Sequence, residues 1–151
     1  MLIFKIELEQ IEFEEEIDSY SRGHISVQGK HGIIFSKLSN KNHSMMIFIS
    51  LCDLLDGVRL FLINPIKNRY HFVGVGSSFQ FFLVKKGYSN LILTSVKNEI
   101  IDEIPRLELI EDIWKEIKSF MLKYDDSLNE KEIVKNDLTI SIEEFKKQFN
   151  L

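Results

Sequence analysis

Residues 70–87, "YHFVGVGSSFQFFLVKKG", place two apolar runs on either side of a short turn. Both runs are rich in the aromatic and β-branched residues that favour strands. The small residues between them, Gly76-Ser77-Ser78, are typical of a turn. The stretch therefore predicts two paired strands, over 70–75 and 79–85. Because "FQFFLV" is apolar at nearly every position, the second strand is expected to be central and covered on both sides.

The same glycines raise the question of a phosphate-binding loop. Gly74 and Gly76 match the start of the G-x-G-x-x-G pattern, but Phe79 stands where the third glycine belongs. Such a loop must lead into a helix N-terminus, whose free N–H groups hold the anion. Here the predicted continuation is a strand, so the motif indicates a hairpin turn without a nucleotide. Gly74 is expected to mark a close approach of another backbone.

Strand patterns extend in both directions from this hairpin. Strict alternation over 2–8 predicts a half-buried strand, and "GHISVQGKHGIIFSK" predicts two more around Gln28–Gly32, with glycines expected to supply positive φ. Short turns leave no room for crossover helices, which favours an antiparallel meander. Its four predicted strands are 58–63, 70–75, 79–85 and 91–96.

Helical patterns occupy the rest of the chain. Apolar residues recur every three or four positions over 105–124, with Pro105 as first residue and Trp114 expected to be largely buried. "MMIFISLCDLLDG" predicts a helix between Ser44 as N-cap and Gly57 just beyond its end. "SLNE" and "SIEE" match the capping box and predict two short terminal helices. The whole indicates an α+β fold in one domain, 1–151.

Charge is distributed unevenly along the chain, whose net charge is −4. Residues 1–20 hold one lysine against seven carboxylates, residues 21–98 ten cations against two, and residues 99–151 eight against fourteen. Either the acidic ends pair with the basic middle, or the surface has separated poles that steer a charged partner.

The densest charge lies in "EFEEEID". Like charges at this density repel one another and cost stability, so folding alone does not explain them. We therefore predict a partner-binding surface formed by Glu12, Glu14, Glu15, Glu16 and Asp18. Neutralisation of this run by Arg22, Lys30 or Lys37 is the alternative.

No catalytic, metal or cofactor residue is predicted. Cys52 is the single cysteine, which excludes an internal disulfide, and its apolar surroundings favour a buried thiol over a nucleophile. The pair Asp53 and Asp56 has a spacing that acid–base or metal chemistry could use, but it also suits ordinary polar positions near a helix end. Metal-binding spacing is absent from the histidines, which are expected at the surface or in turns: His24, His31, His43 and His71.

In size, composition and acidic ends, the chain resembles the immunity proteins that neutralise bacterial toxins. The resemblance implies a small cytoplasmic protein, without a cofactor, that binds a cognate toxin such as a nuclease with a basic cleft. No apolar run approaches the roughly 20 residues that span a bilayer. The alternatives are an enzyme with an unrecognised site or a nucleic-acid-binding sheet. That sheet would use Arg69, Tyr70, His71, Phe72, Phe79, Phe81, Lys85 and Lys86.

Overall fold

A computed structural model describes residues 2–9, 16–38 and 41–151. These residues form an α+β fold, as predicted, with ten strands and three α-helices. In chain order they are β1 Ile3–Leu8, β2 Arg22–Gly29, β3 Gly32–Phe35, β4 Lys37–Leu38, β5 Lys41–Asn42, β6 Met45–Met46, α1 Ile47–Ile63, β7 Arg69–Val73, β8 Gln80–Lys86, β9 Asn90–Thr94, β10 Ile100–Pro105, α2 Arg106–Tyr124 and α3 Ile133–Phe149.

Two antiparallel sheets contain most of the strands. The first has the order β1-β2-β3, with the short β6 pairing on β2, and the second is the meander β10-β9-β8-β7. The predicted meander is present, but its membership differs, because 58–63 is helical and β10 takes the fourth place. β8 is an inner strand as expected, yet Phe82 on its outward face stays partly exposed, so this face is not fully covered.

The helix α1 runs six residues beyond the predicted end at Gly57. A Cβ atom on Gly57 would lie 2.5 Å from the Tyr70 ring, so this glycine lets β7 approach the helix and does not end it. Ser44 is not the N-cap either, because the helix begins at Ile47 and the Ser44 hydroxyl accepts a hydrogen bond from Arg22 Nε. The helix forms the centre of the core, with nine buried residues.

The helix α2 begins directly after Pro105, close to the predicted position. It packs on β1 and β10. Trp114 is partly buried and stacks on Phe145 of α3, with ring centroids 6.4 Å apart. The two predicted terminal helices are replaced by one, α3, and Ser141 lies in its middle instead of capping it.

The two sheets touch where β3 turns beside β10. The His31 N–H donates to the Ile101 carbonyl, with a distance of 2.9 Å. Gly29 does not supply positive φ, contrary to expectation; it provides space, since a Cβ there would lie 2.6 Å from Asp102 Cβ. A close backbone approach between sheets therefore explains this glycine.

Candidate functional site

A groove of about 570 Å³ opens between α1, α3 and the turn at Ser19–Tyr20. Its lining combines apolar and acidic side chains. The apolar ones include Ile49, Val134 and Ile140. The acidic side chains are Asp53 and Asp56 from α1, Glu132 at the start of α3, and Asp137 from α3. Three distant segments of sequence meet here.

Hydrogen bonds hold the three walls together. The Ser141 hydroxyl donates to Asp56 Oδ2 over 3.2 Å, which joins α3 to α1. The Ser19 hydroxyl donates to Glu132 Oε2 over 3.0 Å, which ties the N-terminal turn to α3. These bonds fix the positions of the Asp56 and Glu132 carboxylates.

The groove has an excess of negative charge. Of its four carboxylates, only Asp56 lies within 4 Å of a cation in the described ranges, with Arg59 Nη2 at 3.9 Å from Asp56 Oδ1. Burial raises the pKa of Asp53, and the neighbouring Asp56 carboxylate raises it further. A bound cation would oppose this rise in pKa, because an opposite charge stabilises the ionised carboxylate. The site therefore favours a positively charged group.

Cys52 lines the same groove but is not equipped for nucleophilic chemistry. Burial raises the pKa of its thiol to about 12, and the hydrogen bond with Ser141 opposes this rise only in part. The reactive form of cysteine is the thiolate. The side chain remains a thiol at neutral pH and contributes to packing.

The part of the predicted acidic run that the structure describes lies next to the groove. Glu12, Glu14 and Glu15 lie outside the described residues, whereas Glu16 is exposed and Asp18 is partly buried.

Asp18 Oδ1 accepts a hydrogen bond from the Tyr20 N–H over 2.8 Å, which shapes the turn that lines the groove. Among the described residues, no lysine or arginine pairs with Glu16 or Asp18. Arg22, one of the expected counter-ions, donates instead to the carbonyls of Ser44 and Gly76.

The glycine-rich stretch is a turn, as the sequence indicates. Gly76 has a φ of 69°, and Ser77 N–H donates to the Gly74 carbonyl. The chain then enters β8, so no helix N-terminus is present to hold a phosphate. A Cβ on Gly74 would lie 3.0 Å from Met45 Sδ, so this glycine marks a close approach of a side chain and not, as expected, of another backbone.

His24 departs from the expectation that histidines lie at the surface or in turns. It is in β2 and only 2% exposed, with Nδ1 2.8 Å from Ser36 Oγ and Nε2 2.9 Å from Glu9 Oε2. The set resembles a serine–histidine–carboxylate triad. Ser36 is completely buried, however, and its hydroxyl also accepts the Ile25 N–H, so it cannot reach a substrate. We assign the network to holding β2 and β3 together.

Most aromatics proposed for a nucleic-acid platform belong to the core. Four are buried on the inner side of the second sheet: Tyr70, Phe72, Phe79 and Phe81. On the outward face, His71 stacks on Phe82 at 4.2 Å between ring centroids, and Arg69 Cζ lies 4.0 Å from the Phe82 centroid. An outward aromatic cluster exists, but it is small and its members contact one another.

Two negative findings concern the described part of the chain. No group of three or more histidine, cysteine, aspartate or glutamate side chains is arranged to hold a metal ion. None of the described helices combines the length and hydropathy needed to cross a bilayer.

Comparisons with protein-family models, curated proteins and solved structures found no match for this chain.

Proposed function

We propose that this chain is a protein-binding module whose acidic groove accepts a basic side chain of its partner. Within that class, we propose an immunity protein that neutralises a cognate bacterial toxin by direct binding. The observation that carries the proposal is the set of four groove carboxylates, only one of which has a cation nearby in the described residues.

The rim of the groove is suited to a protein surface. Tyr20 is 68% exposed and Ile133 is 78% exposed, and both line the groove that holds the carboxylates. Aromatic side chains are enriched in protein interfaces, and the contacts around a central hot spot exclude water from it. Glu16 and Asp18 would extend the negative potential beyond the groove and steer a basic partner towards it.

The groove is tested by removing charge without changing side-chain shape. We expect Asp53→Asn/Asp137→Asn to weaken binding to the protein encoded by the neighbouring gene by about tenfold or more, roughly 1.4 kcal/mol. Surface plasmon resonance at low and high salt would measure it. The matched control is Glu111→Gln/Asp126→Asn, which removes the same charge from exposed positions outside the groove. Equal weakening by both variants would show that only net charge matters.

The acidic run is tested by charge reversal. We expect Glu14→Lys/Glu15→Lys/Glu16→Lys to lower the association rate with the same partner and to weaken binding about tenfold. The melting temperature should stay level or rise, because repulsion is relieved. The loss should shrink at high salt, since exposed charges are screened beyond about 10 Å at 0.1 M. Unchanged association together with a lower melting temperature would identify the run as an internal counter-ion.

A nucleic-acid-binding role is the second candidate, and the outward cluster of Arg69, His71 and Phe82 is the observation that favours it. Bases stack on such side chains while cations hold the backbone. The test is fluorescence anisotropy with a labelled single-stranded oligonucleotide. Binding that falls with salt and is lost in Arg69→Ala/Phe82→Ala would favour this role over the first.

A further inference from the structure

The strand β7 ends the second sheet and has one free side. Residues of an antiparallel strand direct their backbone groups alternately to its two sides. Gly74 N–H donates to the Phe79 carbonyl and the Asn68 carbonyl accepts the Lys85 N–H, so the even-numbered residues pair with β8. The backbone groups of Arg69, His71 and Val73 therefore point away from the sheet, and we call these three residues the β7 edge.

Nothing in the described chain takes up the hydrogen-bonding groups of the β7 edge. None of the hydrogen bonds among the described residues involves the backbone of Arg69, His71 or Val73. The next position in the series, Val75, is occupied: its carbonyl accepts the Met46 N–H and its N–H donates to Ser50 Oγ, both over 2.9 Å. The chain thus satisfies the outward backbone groups of Val75 itself. It leaves those of Arg69, His71 and Val73 without a partner among the described residues.

The surroundings of the edge would support an added strand. On the inner side, α1 lies against β7 through Gly57 and Tyr70, and Leu60, one turn further along α1, is 52% exposed. On the outer side, the exposed side chains are Arg69, His71 and Val73, preceded by the exposed Lys67. An incoming strand would meet an apolar contact on one face, and positive charge at the Arg69 end of the other.

We propose that the β7 edge binds an extended segment of a partner protein as a fifth strand of the second sheet. The complementary segment alternates, with acidic side chains outward beside Arg69 and apolar side chains inward over Leu60. Strand addition draws affinity from main-chain hydrogen bonds and specificity from alternate side chains. The proposal stands on the edge itself and does not require the acidic groove to bind anything.

The test uses a defined probe, an acetylated and amidated octapeptide of alternating glutamate and valine. Amide chemical shifts and hydrogen exchange of the 15N-labelled protein are recorded during titration. We expect the amides of Arg69, His71 and Val73 to shift and to exchange at least tenfold more slowly. The amides of Tyr70 and Phe72 already pair with β8 and should change less. A peptide with lysine in place of glutamate should bind more weakly, because its positively charged side chains would face Arg69.

Two backbone-methylated peptides supply the sharpest control. One carries N-methyl groups on its glutamates and the other on its valines, so each loses the donors on one side only. One of the two should lose binding by about tenfold, roughly 1.4 kcal/mol, while the other keeps it. Equal behaviour of the two peptides would overturn strand addition.

Protein variants complete the test. His71→Pro removes one edge donor and should reduce peptide binding at least tenfold, whereas His71→Gln keeps the N–H and should not; circular dichroism confirms that both fold. Asp137→Asn, in the groove, should leave peptide binding unchanged, and a loss there would move the peptide to the groove and overturn the proposal. A dimer that His71→Pro dissociates would likewise overturn it, by making a second copy the occupant.

Discussion

The two sheets treat their exposed edges in opposite ways. β1 is the end strand of the first sheet, and two carboxylates of α2 close its free side: Glu108 accepts the Leu2 N–H over 3.3 Å and Glu116 accepts the Ile6 N–H over 3.0 Å. The β7 edge has no such acceptor in the described chain. The molecule therefore seals one edge with its own side chains and leaves the other available.

The seal follows from matching two regular spacings. Leu2 and Ile6 are four strand residues apart, and Glu108 and Glu116 are two helical turns apart on one face of α2. These spans are similar, at about 13 Å along a strand and about 12 Å along a helix. Open edges invite pairing with other chains, and charged side chains are one natural protection. Arg69 in β7 and Lys67 just before it are charged and exposed, and in the proposed complex they would favour an acidic partner.

The largest effect should come from proline placed in the two strands. Lys5 and His71 both have exposed side chains, but the Lys5 N–H lies in the ladder with β2, whereas the His71 N–H points to the open edge. Proline removes the donor in both cases. We expect Lys5→Pro to cost about 3 kcal/mol and His71→Pro less than about 1 kcal/mol in the free energy of unfolding.

Urea unfolding followed by circular dichroism would measure both, with Lys5→Thr and His71→Thr as controls that keep the N–H. Similar losses in the two proline variants would mean that the β7 edge is engaged within the fold, and the comparison would fail.

Removing a carboxylate that closes the free side of β1 should have an intermediate effect on the free energy of unfolding. Glu116→Ala removes the acceptor of the Ile6 N–H, and hydrogen bonds to a charged group contribute about 1.5–3 kcal/mol. Because this one is only partly buried, we expect a loss near the lower figure and faster hydrogen exchange at Ile6. Glu111→Ala, exposed on the same helix, is the control and should change neither. An unchanged exchange rate at Ile6 would mean that the carboxylate does not close the edge.

Local patterns predicted most of the elements correctly, and they failed where a distant contact decides the outcome. The hairpin at Gly76 and the helix after Pro105 follow from turn chemistry and periodicity alone. Gly57 satisfied the rule for a helix end, but its role is to accommodate the Tyr70 ring, which sequence cannot reveal. The capping pattern at Ser141 was misleading for the same reason, since that hydroxyl bonds to Asp56 on another helix.

Only part of the candidate site could be predicted from the sequence. Asp53 and Asp56 were noticed as a spaced pair, and Asp18 as part of the acidic run. Nothing in their local context indicates that Asp137 or Glu132, about 80 residues away, completes one groove with them, because that depends on how α1 packs on α3. The outward-pointing backbone of β7 was equally hidden, since the end strand was predicted to be 58–63.

The smallest expected change in stability comes from Asp112, which lies midway along α2 between Glu108 and Glu116. Its Oδ2 is buried without a hydrogen-bond partner in the described residues, and one fewer methylene than glutamate shortens its reach. Burial raises the pKa of Asp112, and the charges of Glu108 and Glu111 raise it further. The folded state therefore holds this proton more tightly than the unfolded state, and stability is lost as the pH rises from the ordinary pKa through the raised one.

Asp112→Asn removes that loss, because an amide does not ionise. At pH 7 we expect the variant to be more stable by about 0.5 kcal/mol, a rise of roughly one to two degrees in melting temperature. At pH 3 the carboxyl is protonated in both states, so the gain should vanish. Differential scanning calorimetry at the two pH values measures this, with Glu144→Gln, which removes an exposed carboxylate of α3, as the control. An equal gain at both values would trace the effect to packing rather than charge, and a loss at pH 7 would mean that Asp112 contributes to the seal.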